Sequence, residues 1–206
     1  MAWFGGAIVL AAAQNGKSLY TNDFEKIEVG KLPEDFLVLD GGFAVREEGG
    51  NRFLELPGTP LDTFGVLFGP TGWENISVST RIHGTGKGRR FPTFGVGLDG
   101  VGGYKLRVSP GKKALELSKG DTVVASVPYD WESGKWVWLR LEVKAGTDKD
   151  WMVHGKVWLA GAAEPAVWAI QWQEKEPPPP GRPSITASPF AGTAIRFDDL
   201  VVTASD

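Results

Sequence analysis

The 206-residue chain contains no cysteine. That removes disulfide scaffolding, thiolate metal ligation and thiol nucleophiles together. Histidine is nearly as scarce: with only His83 and His154, a three-histidine zinc centre is impossible. A basic block is missing as well, since 22 basic and 25 acidic residues leave a formal charge of −3. Nucleic acid is therefore not an expected partner, because phosphate binding needs a concentrated positive footprint. Long apolar runs are absent. The N-terminal run from Trp3 to Ala12 is too short to span a bilayer, and no later segment could cross one. The run leads into Ala11-Ala12-Ala13, the small-residue pattern that precedes a signal cleavage site, although no Lys or Arg stands before it. Residues 1–13 are read as a short export signal, which places the mature protein in the periplasm or outside the cell. An ordinary first strand over Ala7 to Leu10 is the alternative.

What the chain does have is glycine, proline and tryptophan. Twenty-eight glycines and 14 prolines are spread along it, as many short strands and tight turns require. Nine tryptophans are roughly fourfold more than ordinary residue usage gives a chain of this length. Past residue 16 the apolar period is two. In NISVSTRIH, Ile76, Val78, Thr80 and Ile82 alternate with Ser77, Ser79, Arg81 and His83. FGVGLD repeats this with Phe94, Val96 and Leu98, and GYKLRV with Tyr104, Leu106 and Val108. Such alternation marks half-buried strands. Turn signals such as Gly49-Gly50-Asn51, Asp99-Gly100 and Lys119-Gly120-Asp121 punctuate them. The expectation is an all-β chain, with residues 17–206 forming a single two-sheet antiparallel β-sandwich of roughly a dozen strands. The EKEPPPPGRP segment, residues 174–183, cannot lie in a central strand and is read as a connection between the last two strands.

KWVWLRLEVK separates two faces most clearly. Val137, Leu139, Leu141 and Val143 form an aliphatic face, while Trp136, Trp138, Arg140 and Glu142 point the other way. WMVHGKVWLA sets Met152, His154, Lys156 and Trp158 on one side, again aromatic mixed with polar. Flat rings beside a few polar groups suit a sugar-binding groove, giving Trp136, Trp138, Arg140, Glu142 and Trp158 as candidate ligand contacts. The same residues also fit a face covered by a loop, with Arg140 and Glu142 in cross-strand pairs. A catalytic groove has less support. The compact glycosidase motif E-x-D-x-x-E occurs nowhere, and neither G-x-S-x-G nor a serine–histidine–aspartate arrangement can be recognised.

Carboxylates also sit inside the first and last strands: Asp23 and Glu25 flank Phe24, and Asp198 and Asp199 interrupt AIRFDDLVVTA. A buried carboxylate needs water, a basic side chain or a metal ion. Strand alternation predicts that Asp198 and Asp199 face opposite ways.

The segments NDFEKIEVGKLPEDF, GGFAVREEGGNRFLEL, WENISVSTRIHG, KWVWLRLEV, GKVWLAGAAEPAVWAI and IRFDDLVV cover nearly everything after residue 20. In that order they resemble the concanavalin A-like lectin/glucanase sandwich (jelly-roll) domains found C-terminal to bacterial PQQ-binding-like β-propeller repeats. The resemblance implies an exported, non-catalytic accessory or adhesion domain, although this chain lacks the propeller; with the aromatic strand face, the favoured reading is a carbohydrate-binding sandwich with a glycan partner. A looser likeness is to carbohydrate-binding sandwiches in which a structural calcium ion ties the two ends together. It makes Asp23, Glu25 and Asp198 the candidate calcium ligands. A glycan-active enzyme of the glucanase-like group and a structural protein-interaction domain are the alternatives.

Overall fold

The computed structural model describes residues 16–72 and 74–205. The 1–13 segment read as an export signal lies outside the described residues. Within them the period-two segments become fifteen strands in two antiparallel sheets. Sheet one runs β13 (Ile170–Glu174), β12 (Trp151–Leu159), β11 (Trp136–Ala145), β6 (Ile76–His83), β15 (Ile195–Ala204), β4 (Asn51–Leu56), β3 (Ala44–Glu48), with β1 (Ser18–Asn22) also pairing β15. Sheet two runs β10 (Thr122–Pro128), β9 (Ala114–Lys119), β8 (Tyr104–Ser109), β7 (Thr93–Leu98), β14 (Ser184–Ser188), β5 (Phe64–Leu67), β2 (Leu37–Asp40). The expected β-sandwich is the observed fold.

The inner faces are the ones the alternation selects. Val137, Leu139, Leu141 and Val143 of β11 are fully buried and pack across onto β7 and β8, where Phe94, Val96, Leu106 and Val108 are equally buried. Each such side chain contributes about 1.5–3 kcal/mol on leaving water, so these strands alone anchor the two sheets. Turn chemistry closes the hairpins as the glycines direct. Gly49 and Gly50, at φ +63° and +81°, join β3 to β4 in the left-handed backbone that two-residue hairpin loops need. The proline run carries the chain from β13 in sheet one to β14 in sheet two. Two more strands follow it, so it is not the connection between the last two that the sequence suggests.

Alternation fails at one informative place. Along β15 the pairing with β6 shifts between Asp198 and Val201, and Asp199 takes a left-handed φ of +50°. This is a β-bulge, with two residues set against one. It returns Leu200 and Val202 to the core, and its conformation suits aspartate better than most non-glycine residues. A second device closes one end of the sandwich. Glu174 on β13 accepts a hydrogen bond from the Tyr104 hydroxyl on β8 at 2.9 Å and pairs with Lys119 of β9 at 2.8 Å. Burial alone would raise this carboxyl, but the bonds from Lys119, the Glu176 backbone N–H and Tyr104 carry it down to about 2.

Asp99 has no such partner. It sits at φ +64° in the β7–β8 turn, only 3% exposed, with both carboxylate oxygens unbonded. Burial pushes its carboxyl up to about 8 from an ordinary 3.8. The folded protein therefore holds a proton there that the unfolded chain releases near pH 4. Asp99 favours the fold most below that pH, and its contribution declines as pH rises towards 8. Asparagine tolerates the same backbone conformation and cannot ionise. Asp99→Asn should flatten the fall in unfolding free energy between pH 5 and 8 by up to about 1.4 kcal/mol per pH unit, read from urea melts. Identical pH slopes for the two proteins would contradict this.

Candidate functional site

Trp136 and Trp138 stay half-buried on the aromatic face of β11, as the alternation arranges it, but the part of that face around Arg140 and Glu142 is covered. The β12–β13 connection, residues 160–169, folds over it. Its Glu164 sits between two cations, 3.1 Å from Arg140 Nη1 and 2.7 Å from Lys156 Nζ. Lys156 also donates to the Pro165 carbonyl and lies 4.3 Å from the Trp168 ring centre, and that ring stacks on His154. Arg140 reaches the Ser77 hydroxyl. Glu142 accepts from Ser205 at 2.8 Å and faces His154 Nδ1 at 3.4 Å across the strand pair. Burial would raise the Glu142 carboxyl, but these bonds and the Arg140 charge hold it below the ordinary value. Arg140, Glu142 and Trp158 are all buried. Trp138 stacks on Trp158 at 6.0 Å, and Trp136 lies against His83, Phe53 and the Arg81 guanidinium. Most rings and charges here answer one another, although Arg140 Nε is buried without a hydrogen-bond partner.

The chain ends do meet. β1 pairs with β15, with Asn22 opposite Leu200, which brings Asp23 and Glu25 near Asp199. The bulge then overturns the expectation that the two aspartates face apart. Arg81 binds both, through Nη2 to Asp198 at 2.7 Å and through Nε to Asp199 at 2.6 Å. Asp198 also accepts from the Asn51 side chain and the Asp199 backbone N–H, while Glu25 accepts from the Arg52 backbone N–H. Burial still pushes the Asp198 carboxyl up to about 6. Among the described residues no group of three or more acidic or histidine side chains converges in a way that could hold a metal ion. Arg81 is the counter-charge that the geometry supplies. Arg81→Met should lower stability by about 3 kcal/mol at pH 7 by leaving Asp198 buried and uncompensated, with a smaller loss at pH 5, where that carboxyl takes up a proton. Wild-type melts in calcium and in chelator should coincide; a higher melting temperature in calcium alone would restore the ion.

Sheet two presents a different outer face. Gly95 and Gly97 of β7 stand where β11 carries large side chains, so this face is low. At Gly95 a Cβ would fall 2.2 Å from the Leu106 carbonyl oxygen, so the close approach of β8 demands glycine. A cleft of about 370 Å³ opens beside it. Its floor holds Thr93, Arg107, Ser109, Glu116 and Ser188, brought together by the registers Arg107 to Glu116 and Thr93 to Ser188. Its walls come from connections. Arg89 and Phe91 project from the β6–β7 loop, Phe190 from the β14–β15 loop, and Lys112 from the 3-10 turn Pro110–Lys112. The β6–β7 loop is shaped locally: Lys87 and Arg90 exchange backbone bonds of 2.9 and 3.1 Å around Gly88 at φ +62°. Its base is pinned by Ser133 to the Gly86 N–H and by Thr193 to the Thr85 carbonyl.

Glu116 is the chemical centre of this floor. It accepts from the Ser109 hydroxyl at 2.6 Å and from Lys112 at 2.8 Å, with Arg107 Nη2 3.6 Å away. Burial would raise its carboxyl, but those donors and the Arg107 charge hold it below the ordinary value. Thr63 and Ser188 share a hydroxyl pair at 2.7 Å on the far side. Phe91 and Phe190, by contrast, are exposed. None of these residues stands out in the sequence, where Arg107 and Glu116 read as the polar side of ordinary strands. The one local signal is GKGRRFP, residues 86–92, a glycine-rich basic loop ending in an aromatic between two strands.

No protein-family model matches the chain, and no curated protein matches it in sequence. Solved structures share the fold. The carbohydrate-binding module CBM66 from Bacillus subtilis superposes with a TM-score of 0.56 at 11% identity, over 82% of this chain and 95% of its own. The metal-free carbohydrate recognition domain of Emp46p gives 0.62 at 12% identity, over 92% and 96%. A xylan β-1,4-xylosidase from Bacillus halodurans C-125 gives 0.58 at 15% identity, but the match covers 89% of this chain and only 38% of that enzyme. At these identities the likeness is one of fold alone, a two-sheet β-sandwich.

Proposed function

We propose that this protein binds carbohydrate in the cleft on the outer face of sheet two, without altering it. One observation carries the reading: two exposed phenylalanines, Phe91 and Phe190, line a 370 Å³ cleft whose floor is made of hydroxyls and charged side chains. Aromatic rings stack on the apolar faces of sugar rings, while polar groups beside them bond the hydroxyls. Lectin-like and carbohydrate-binding neighbours of the same fold support it. Hydrolysis would need two carboxyl groups flanking one bond. Among the described residues the cleft lining offers a single carboxylate, Glu116, held ionised by its donors. The reading includes export as an accessory domain, supported by the apolar run that opens the chain and by the sequence resemblance.

A glycan-array screen of the purified protein should return at least one oligosaccharide family. Phe91→Ala and Phe190→Ala should each weaken that binding by about threefold to tenfold, the worth of a stacked ring. Their melting temperatures should hold, because both rings already face solvent. Binding unchanged in both variants would overturn the cleft as the site.

A further inference from the structure

The cleft is charged against the grain of the chain. Whereas the whole protein carries −3, the cleft lining has three cations, Arg89, Arg107 and Lys112, against the single carboxylate of Glu116. That carboxylate is already engaged. Both its oxygens accept hydrogen bonds, from Ser109 and from Lys112, and Arg107 stands beside them. The donors are not used up in return. Arg107 keeps 35% of its side chain exposed and comes no closer than 3.6 Å to Glu116, and Arg89 has no acidic partner among the described residues. A neutral sugar calls for donors and acceptors in rough balance, because each hydroxyl is both. Here the surplus is of donors and of positive charge.

From this we infer that the ligand is an acidic glycan, one whose sugar rings carry carboxylates. The inference rests on the carbohydrate reading of the same cleft. A guanidinium presents parallel N–H groups that match a carboxylate's two oxygens, and it keeps its charge at any physiological pH. Arg89 and Arg107 supply two such groups within one cleft whose walls also hold Phe91 and Phe190. A uronic-acid residue meets both demands, with an apolar ring face to stack and a carboxylate at its edge. Repeated carboxylates along a polymer would also be drawn to the exposed basic turn Lys87-Gly88-Arg89-Arg90.

The test compares one polymer in two charge states. The full chain is titrated calorimetrically with polygalacturonate and with the same polymer fully methyl-esterified, which removes the charge and keeps the backbone. The affinity expected for the charged form is at least tenfold higher, and it should weaken as salt is raised from 50 to 300 mM. Arg89→Ala, on an exposed loop, should reduce binding of polygalacturonate about tenfold. Lys26→Ala, an exposed lysine outside the cleft lining, should leave it unchanged. Equal binding of the two polymers would overturn the acidic preference while leaving the cleft a carbohydrate site. Equal losses from Arg89→Ala and Lys26→Ala would also overturn it, as non-specific attraction of a polyanion. Failure to bind either polymer, together with a blank glycan array, would instead remove the carbohydrate reading itself.

Discussion

A charge taken out of water must find its counter-charge, and this constraint decides which face of the sandwich is closed and which is open. Removing one member of a buried pair leaves several kcal/mol uncompensated. In sheet one every buried charge is answered from within the protein. Glu164 reaches down from a loop to Arg140 and Lys156, and Arg81 holds Asp198 and Asp199 together. The first pairing brings Trp168 over β12, onto Lys156 and His154. The second fixes the bulge through which the last strand accommodates the first.

Sheet two departs from that balance in two places. Among the described residues no cation pairs with Asp99, which stays neutral well above the usual carboxylate range. The cleft departs the other way, with more cations than its one acid can answer. A surplus held at an open surface costs little, because water and ions screen it. It also leaves charge available for something brought from outside. Exposed rings at the same opening are the apolar half of that arrangement, since neither Phe91 nor Phe190 contributes a buried surface to the core.

The core was legible in the sequence and the site was not, for a common reason. Period two reports which side of a strand is buried against the other sheet, and it placed Val137 to Val143, Phe94 to Leu98 and Tyr104 to Val108 correctly. It says nothing of what covers the opposite side. Trp136, Trp138, Arg140 and Glu142 read alike whether they face water or a loop, and the covering residues Glu164 and Trp168 lie in a segment with no period. The aspartate pair was misread because a bulge adds one residue, and one residue reverses every face beyond it. Arg81 was assigned the right side of β6, but nothing local tied it to residues more than a hundred positions later. The cleft is assembled from four connections and four strands, so only the basic loop before Phe91 could have drawn notice.

The central claim is that the ligand surface lies on sheet two and not on the half-buried tryptophan face of sheet one. Amide chemical shifts of isotopically labelled protein, followed while a bound glycan is added, test it most directly. The account predicts shifts concentrated at residues 87–93, 107–116 and 188–190, with residues 136–142 and 164–168 unmoved. Shifts centred on Trp136, Trp138 and Trp168, with the sheet-two cleft silent, would contradict it.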